Sequence, residues 1–242
     1  MTRTRRLREL VAILAVLGAM AAAATAQDRA VEPFNDKNLD GWKTQGPESQ
    51  SKWKAGIAMV DPGDPTRLVV APASGDAEKP LEMVNAIPRG EHGADLYTQQ
   101  KFGSATISLE LMVPKGSNSG VYLMGEYEIQ VLDSYGHKKL GMGDMGAIYA
   151  FKVPDVNASK EPGQWQTLSV EYLAPKFEGG KKVVNMKVLK IVLNGKVIQE
   201  NVEVSRPTGG GLTGQEHAEG PLMFQGNHGP VAFRNIKIVP KE

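Results

Sequence analysis

The chain has 242 residues, with 28 Lys and Arg against 27 Asp and Glu, 27 Gly, 15 Pro and no Cys. Disulfides and lipid-modified cysteines are therefore excluded, and no Lys/Arg-rich face marks a nucleic-acid binder. Aromatic residues make up 6% of the chain, so most of them are needed for the core and few are free to face a ligand.

The first 26 residues read as an export leader. Arg3, Arg5, Arg6 and Arg8 form a basic head, and Leu10 to Ala24 is uncharged and apolar. That run is shorter than the ~20 residues that span a bilayer, and Ala24-Thr25-Ala26 supplies the small residues of a cleavage site. Cleavage is expected before Gln27, giving a periplasmic or extracellular protein with no stable membrane anchor. Loss of the leader's four Arg and one Glu leaves 24 basic and 26 acidic residues, a net charge near −2. Residues 27–242 fit one large all-β domain.

Along that domain the pattern is strand and turn. Asp61–His92 is polar and reads as a loop. Ala105 to Val113 alternates, with Ile107, Leu109, Leu111 and Val113 on one side, the period-two signature of a half-buried strand. Val121–Met124, Tyr127–Leu132 and Ala147–Phe151 are further apolar runs, and Leu168, Val170 and Tyr172 alternate again. Val183 to Leu193 reads as one long β-branched strand. It ends at Asn194-Gly195, both of which tolerate the positive φ of a type I′ hairpin turn, and Lys196–Ile198 returns. Ser205–Gly220 is a second polar loop, with Gly209-Gly210-Gly211 at its centre. Leu222–Gln225 and Val231–Val239 close the chain. In the last run the alternation changes phase, and a β-bulge near Arg234 that turns the Arg inward would reconcile it. No helix with an apolar stripe, internal repeat or linker appears. The fold class is all-β, a two-sheet antiparallel β-sandwich of jelly-roll type.

The chemistry concentrates on one strand and one turn. Glu126, Glu128 and Gln130 share a face by alternation, and a one-residue offset would bring Asp133 beside them. Carboxylates and amides on one sheet face can act as acid, base and hydroxyl binders for a sugar; a solvated strand face is the other reading. Gln225-Gly226-Asn227-His228-Gly229-Pro230 places a histidine on a turn, where it can carry a proton. No His-x-x-His or His-Glu-x-x-His spacing marks a metal site. Among the aromatics, Trp42, Trp53, Trp165, Tyr97, Tyr122 and Tyr149 are candidates to stack on sugar rings.

Several segments, taken together, resemble the 3-keto-disaccharide hydrolase family. Phe34-Asn35-Asp36-Lys37-Asn38-Leu39-Asp40-Gly41-Trp42 is similar to the family's F-N-G-x-x-L-x-G-W opening. Asn118-Ser119-Gly120-Val121-Tyr122-Leu123 and Tyr127-Glu128-Ile129-Gln130-Val131-Leu132-Asp133 follow in family order. So do Gly146-Ala147-Ile148-Tyr149, Pro162-Gly163-Gln164-Trp165, Leu193-Asn194-Gly195 and Gln225 to Ile236. The resemblance implies a concanavalin A-like, laminarinase-like jelly roll and cleavage of glycosides oxidised at C3. The spacing from Glu128 to Asp133 is also similar to the E-x-D-x-x-E strand of laminarinase-type sandwiches. Gln130 and Asp133 depart from that pattern, which argues against ordinary retaining chemistry.

A C3 ketone acidifies the C2 hydrogen, which makes proton abstraction, loss of the C1 oxygen and rehydration the expected route. Glu128 or His228 is expected as base and Asp133 as partner or acid. Arg234, Gln225 and Asn118, with Gln130 and Glu126, are expected as substrate contacts. A divalent metal shared by Glu128, Asp133 and His228 is an alternative holder of the enolate. The rival function is a non-catalytic carbohydrate-binding sandwich, and a third is a structural exoprotein. The expected partner is a small carbohydrate; the oligomeric state is open.

Overall fold

The computed structural model describes residues 30–71, 80–88 and 90–241; the segment expected to be an export leader lies outside them. Fifteen strands follow in order. The first five are β1 (Trp42–Gln45), β2 (Trp53–Asp61), β3 (Asp64–Ala71), β4 (Glu82–Asn85) and β5 (Asp95–Phe102). The next five are β6 (Ala105–Met112), β7 (Asn118–Leu123), β8 (Tyr127–Leu132), β9 (Gln166–Leu173) and β10 (Lys176–Glu178). The last five are β11 (Lys181–Val184), β12 (Met186–Leu193), β13 (Lys196–Val204), β14 (Gly220–Phe224) and β15 (Val231–Pro240). Among the described residues the only helix is a 3-10 turn at Glu48–Gln50. No described helix is long and apolar enough to cross a membrane.

Two antiparallel sheets form the sandwich. One has five strands in the order β1-β5-β14-β7-β8, and the other has eight in the order β13-β12-β9-β6-β15-β4-β2-β3. Alternation drives them together, because each strand has one apolar row to bury. Ile107, Leu109 and Leu111 of β6 meet Val121, Leu123, Ile129 and Val131 of β7 and β8 in one core. At its centre Phe224 of β14 stacks on Phe233 of β15, ring centroids 3.9 Å apart and planes 10° from parallel. Trp42 continues the stack beyond Phe224 at 5.3 Å, and Trp53 lies 6.1 Å from Phe233. This column takes up two of the three tryptophans, so neither Trp42 nor Trp53 is a sugar platform.

Several readings of the sequence need correction. The polar stretch after Asp61 holds β3 and β4: β3 folds back on β2 through a tight Pro62-Gly63 hairpin closed at Asp61 and Asp64, whereas β4 lies between β2 and the distant β15. The run Val183–Leu193 is two strands, broken at Asn185. Ala147–Phe151 is no strand; it forms turns joined by isolated bridges from Ile148 to Ile129 and Lys152. The Asn194-Gly195 turn does adopt positive φ at both residues, 51° and 78°.

A bulge in β15 lies where the phase change placed it, between Arg234 and Lys237, with Asn235 at φ 53°. Its effect is the reverse of turning Arg234 inward. The extra residue lets Phe233 and Ile236 both reach the core, and Arg234 lies on the far face of the eight-stranded sheet. There its guanidinium covers Trp165 at 4.0 Å and pairs with Glu82 and Glu110 at 3.1 and 2.8 Å.

Replacement of Phe224 by Ala removes the centre of the aromatic column and is expected to cost about 3–5 kcal/mol. A chemical-denaturation midpoint lowered to match, with an unchanged slope, checks this.

Candidate active site

The face of the five-stranded sheet that points away from the core is polar yet largely closed to water. Pairing of Leu96 with Phe224 and of Phe224 with Val121 fixes the row beside it. That row is Asp95, Gln225, Gly120 and Gln130, with Gly120 opposite Gln130. The next row brings Tyr122 opposite Glu128. Glu128, Gln130, Gln225 and Asp95 are all buried, Glu128 with 3% of its surface exposed.

Loops do the covering. β8 is the edge of its sheet, and an open edge would leave its backbone groups unpaired. The 146–149 segment pairs with it instead: the Gln130 N–H donates to Ala147 O at 2.9 Å and the Tyr149 N–H to Glu128 O at 3.1 Å. The Glu128 N–H donates to the Thr208 hydroxyl at 2.9 Å. These contacts bring Tyr149 and Gly209-Gly210 over the sheet. With Asn118, Tyr122, Glu128, Gln130, Gln225 and His228 they enclose a cavity of about 180 Å³, room for one sugar ring. Tyr149 is 40% exposed and is the aromatic at its mouth.

Within this cavity Glu128 is poised. Burial pushes its carboxyl up to about 7, against a hydrogen bond from the Tyr122 hydroxyl that lowers it and the nearby Asp95 that raises it further. Gly120 makes the room: a Cβ there would lie 2.3 Å from Glu128 Oε1. Burial also holds the Tyr122 hydroxyl protonated. Gln225 donates through Nε2 to that hydroxyl at 3.2 Å, which completes a chain from Gln225 through Tyr122 to Glu128. The other end of the amide, Gln225 Oε1, is buried without a hydrogen-bond partner. An acceptor in that state suits a sugar hydroxyl. Gln130 donates to Asn118 Oδ1 at 2.6 Å and fixes that amide.

His228 rides on the 226–230 turn, its Nδ1 against the Asn227 side-chain oxygen. Two buried residues clamp the turn. Asp95 accepts from the Gly226 N–H at 2.8 Å, and Asn85 Nδ2 donates to Gly226 O and Gly229 O at 2.9 and 3.0 Å. Gly226 cannot carry a side chain, since a Cβ would lie 2.1 Å from Ala94 O. Desolvation raises the Asp95 carboxyl, partly offset by the Gly226 and Asn227 N–H groups and by His228.

Five of the eight expected site residues thus meet: Glu128, His228, Asn118, Gln130 and Gln225. Three do not. The β7–β8 register runs without a bulge from Asn118↔Leu132 to Leu123↔Tyr127, so nothing rotates Asp133 into line. Asp133 accepts from the Gly116 N–H at 2.9 Å and supports the 114–117 turn. Glu126 lies in the turn before β8 and accepts from Thr213 N–H, Thr213 O–H and Gly214 N–H at 2.8, 2.7 and 2.9 Å. It anchors the loop over the cavity. Arg234 is on the other sheet, as described. The triad Glu128–Asp133–His228 is therefore not assembled, and no cluster of three His, Asp or Glu side chains suited to a metal occurs among the described residues. Asp95 and Asn85 carry no local signal in the sequence; sheet pairing alone brings them to the turn.

At pH values between the ordinary glutamate range and about 7, Glu128 is neutral in the fold and ionised in the unfolded chain, so stability falls as pH rises through that window. Above it the buried charge costs about 3 kcal/mol. Glu128→Gln is expected to stabilise the protein at pH 8.5, with the gain vanishing near pH 4.5. Denaturation at the two pH values checks this; equal effects at both would refute a buried, destabilising charge.

Comparison with known proteins agrees with this architecture. Three glycosyl hydrolase candidates from Parabacteroides distasonis ATCC 8503 have similar structures. One is 26% identical, with a TM-score of 0.63 over 88% of this chain and 84% of its own. A second is 16% identical, TM-score 0.55, over 89% and 95%. A third is 19% identical, TM-score 0.52, over 85% and 96%. Among curated proteins no match was found. The model of the 3-keto-alpha-glucoside-1,2-lyase-like domain matches residues 29–239, nearly the whole described chain, and the protein belongs to that family of carbohydrate-active, glycosyl hydrolase-like β-sandwiches.

Proposed function

We propose that the protein cleaves 3-keto-glycosides by elimination and rehydration, with Glu128 as the base. The observation that carries this is a carboxyl pushed up to about 7 by burial, in a cavity sized for one sugar ring and faced by His228. Elimination needs a base near neutrality, because a group of that kind is both ionised at working pH and strong enough to take a carbon-bound proton. Glu128 takes the C2 proton, and the electron pair passes into the C3 carbonyl as an enolate. As the enolate collapses to the C1=C2 double bond, the C1–O bond breaks and His228 gives a proton to the departing oxygen. Water then adds at C1 and regenerates the 3-keto sugar.

No Lys or Arg is among the described residues lining the cavity. The enolate oxygen therefore falls to a neutral donor, the amide of Asn118, whose Oδ1 is held by Gln130, in a dry site where hydrogen bonds are strongest. Gln225 Oε1 receives a hydroxyl. Tyr122 keeps the Glu128 carboxylate oriented and limits how far its basicity rises. The leader supports export to the periplasm or beyond; an intact mass beginning at Gln27 in the exported protein checks that assignment.

Incubation with a 3-keto-disaccharide in deuterated water is expected to release monosaccharide carrying deuterium at C2. Release without deuterium at C2 sinks the elimination route, and sugar binding without release leaves only a binding module. Continued release in the presence of chelator assigns the enolate to the side-chain amide of Asn118, whereas loss of release assigns it to a divalent ion. Glu128→Gln is expected to lower turnover by roughly 10²–10⁴-fold with sugar binding retained. Because the base must be ionised, kcat/KM should rise with pH through about 7; a fall through that value would reverse the role of Glu128.

A further inference from the structure

His228 borders a second and larger cavity. Against His228 lies a space of about 310 Å³, walled by Ile87, Pro88 and Pro230 and rimmed by Thr66, Glu91 and Lys115. His228 is the one residue that lines both cavities among the described residues. A proton donor shared by two adjoining spaces stands where the bond between a sugar and its leaving group would lie.

The walls are built and rigid. Ser117 donates to Pro230 O at 2.5 Å, and a Cβ at Gly229 would lie 2.6 Å from the Ser117 hydroxyl, so the turn sits hard against the 114–117 turn. The same turn is held from below by Asp95 and Asn85. Asp133 fixes the facing turn through the Gly116 N–H.

The two cavities differ in chemistry. The inner one carries three side-chain amides, a carboxyl and two tyrosines, the groups that recognise a pyranose by hydrogen bonding and ring contact. The outer one has mainly apolar walls, with no amide side chain and no aromatic among the described residues. Proline and isoleucine surfaces suit the face of an aromatic ring and offer nothing to the hydroxyls of a second sugar. The wall hydroxyls are already committed, Ser117 donating to Pro230 O and Thr66 to Asp64 Oδ1, so the hydroxyls of a second sugar would lose water there with little replacement away from the rim. At the rim Glu91 is held by Lys52 at 2.9 Å. Lys115 is exposed and makes no ion pair among the described residues, so the cationic end of the cavity is available to an anion.

We propose that this outer cavity is the leaving-group subsite, and that it takes an aromatic aglycone bearing an acidic substituent that meets Lys115. The proposal rests on elimination in the inner cavity. Elimination of such a substrate frees a phenol: the C1–O bond breaks, His228 supplies the proton to the phenolic oxygen and Glu128 holds the proton from C2.

The test compares two substrates with the same 3-keto-glucosyl group, one with 4-carboxyphenol and one with glucose as leaving group. The aryl substrate is expected to have a KM at least tenfold lower, and Lys115→Glu to reduce the aryl-over-disaccharide preference in kcat/KM by about tenfold. Equal KM values, or a preference that Lys115→Glu does not change, overturn the subsite. Direct calorimetric binding of 4-hydroxybenzoate separates the two levels of the argument. It should be weakened by Lys115→Glu and not by Glu128→Gln. Disaccharide turnover with no 4-hydroxybenzoate binding defeats the subsite alone. Binding of 4-hydroxybenzoate that Lys115→Glu weakens, in a protein that turns over neither substrate, defeats the elimination reading and keeps the cavity as an aryl-acid site.

Discussion

A carboxyl group taken out of water without a counter-charge is costly, and the cavity face of the five-stranded sheet is organised around one such group. Glu128 has no Lys or Arg beside it in the cavity, so it can ionise only with what its neighbours supply, chiefly the Tyr122 hydroxyl. Gly120 is bare because the carboxylate occupies the space a side chain would need. The edge of β8 is paired to the 146–149 segment and to Thr208, which keeps water off that carboxylate while it delivers Tyr149 and the glycines of the covering loop. Remove the need to hold a buried acid and most of these arrangements lose their reason.

The opposite face of the same sheet supplies the rigidity. Phe224 ends β14 and is followed directly by the cavity-facing Gln225, so the aromatic column and the site are separated by one backbone thickness. A strand that is locked into a dense core cannot move its outward side chains by much. The histidine turn follows directly from the end of β14, and its clamps, Asp95 and Asn85, come from β5 and β4, one strand from each sheet. The turn is therefore referenced to both layers of the sandwich.

Much of this was legible in the sequence, for identifiable reasons. Strands with strict alternation, such as β6 and β9, announced themselves, and Asn194-Gly195 specified its turn. Glu128 and Gln130 could be placed on a polar strand face because period two holds locally. Where the outcome depended on pairing with distant chain, local pattern failed. β4 has only four residues and is defined by β2 and by β15 far along the chain, whereas the local hairpin of β2 and β3 was masked by its polar composition. Asp95 looks like any acidic residue before a strand until Gln225 pairs beside it. Arg234 shows both sides of the matter: its phase break correctly located a bulge, but which way a bulge turns a side chain depends on the residues that must reach the core. Phe233 and Ile236 both had to, and the arginine was displaced to Trp165 on the other face.

Glu126 and Glu128 show how far environment, and not residue type, divides roles. They are two residues apart, alternation alone puts them on one face, and their burial is nearly the same, at 2% and 3% exposed. Glu126 meets three donors of the covering loop, two backbone N–H groups and one hydroxyl. A carboxyl group held in that way is a structural tie, and a sugar would have to displace the loop to reach it. Glu128 meets one side-chain donor and otherwise faces the cavity. Burial is what raises its basicity, with a single hydrogen bond to offset it, and a substrate proton relieves the cost of that buried charge. The anchored glutamate holds the loop that dries the site, and the drying makes the poised glutamate a base. The two acids are thus one device, in which full satisfaction of the first maintains the incomplete satisfaction of the second.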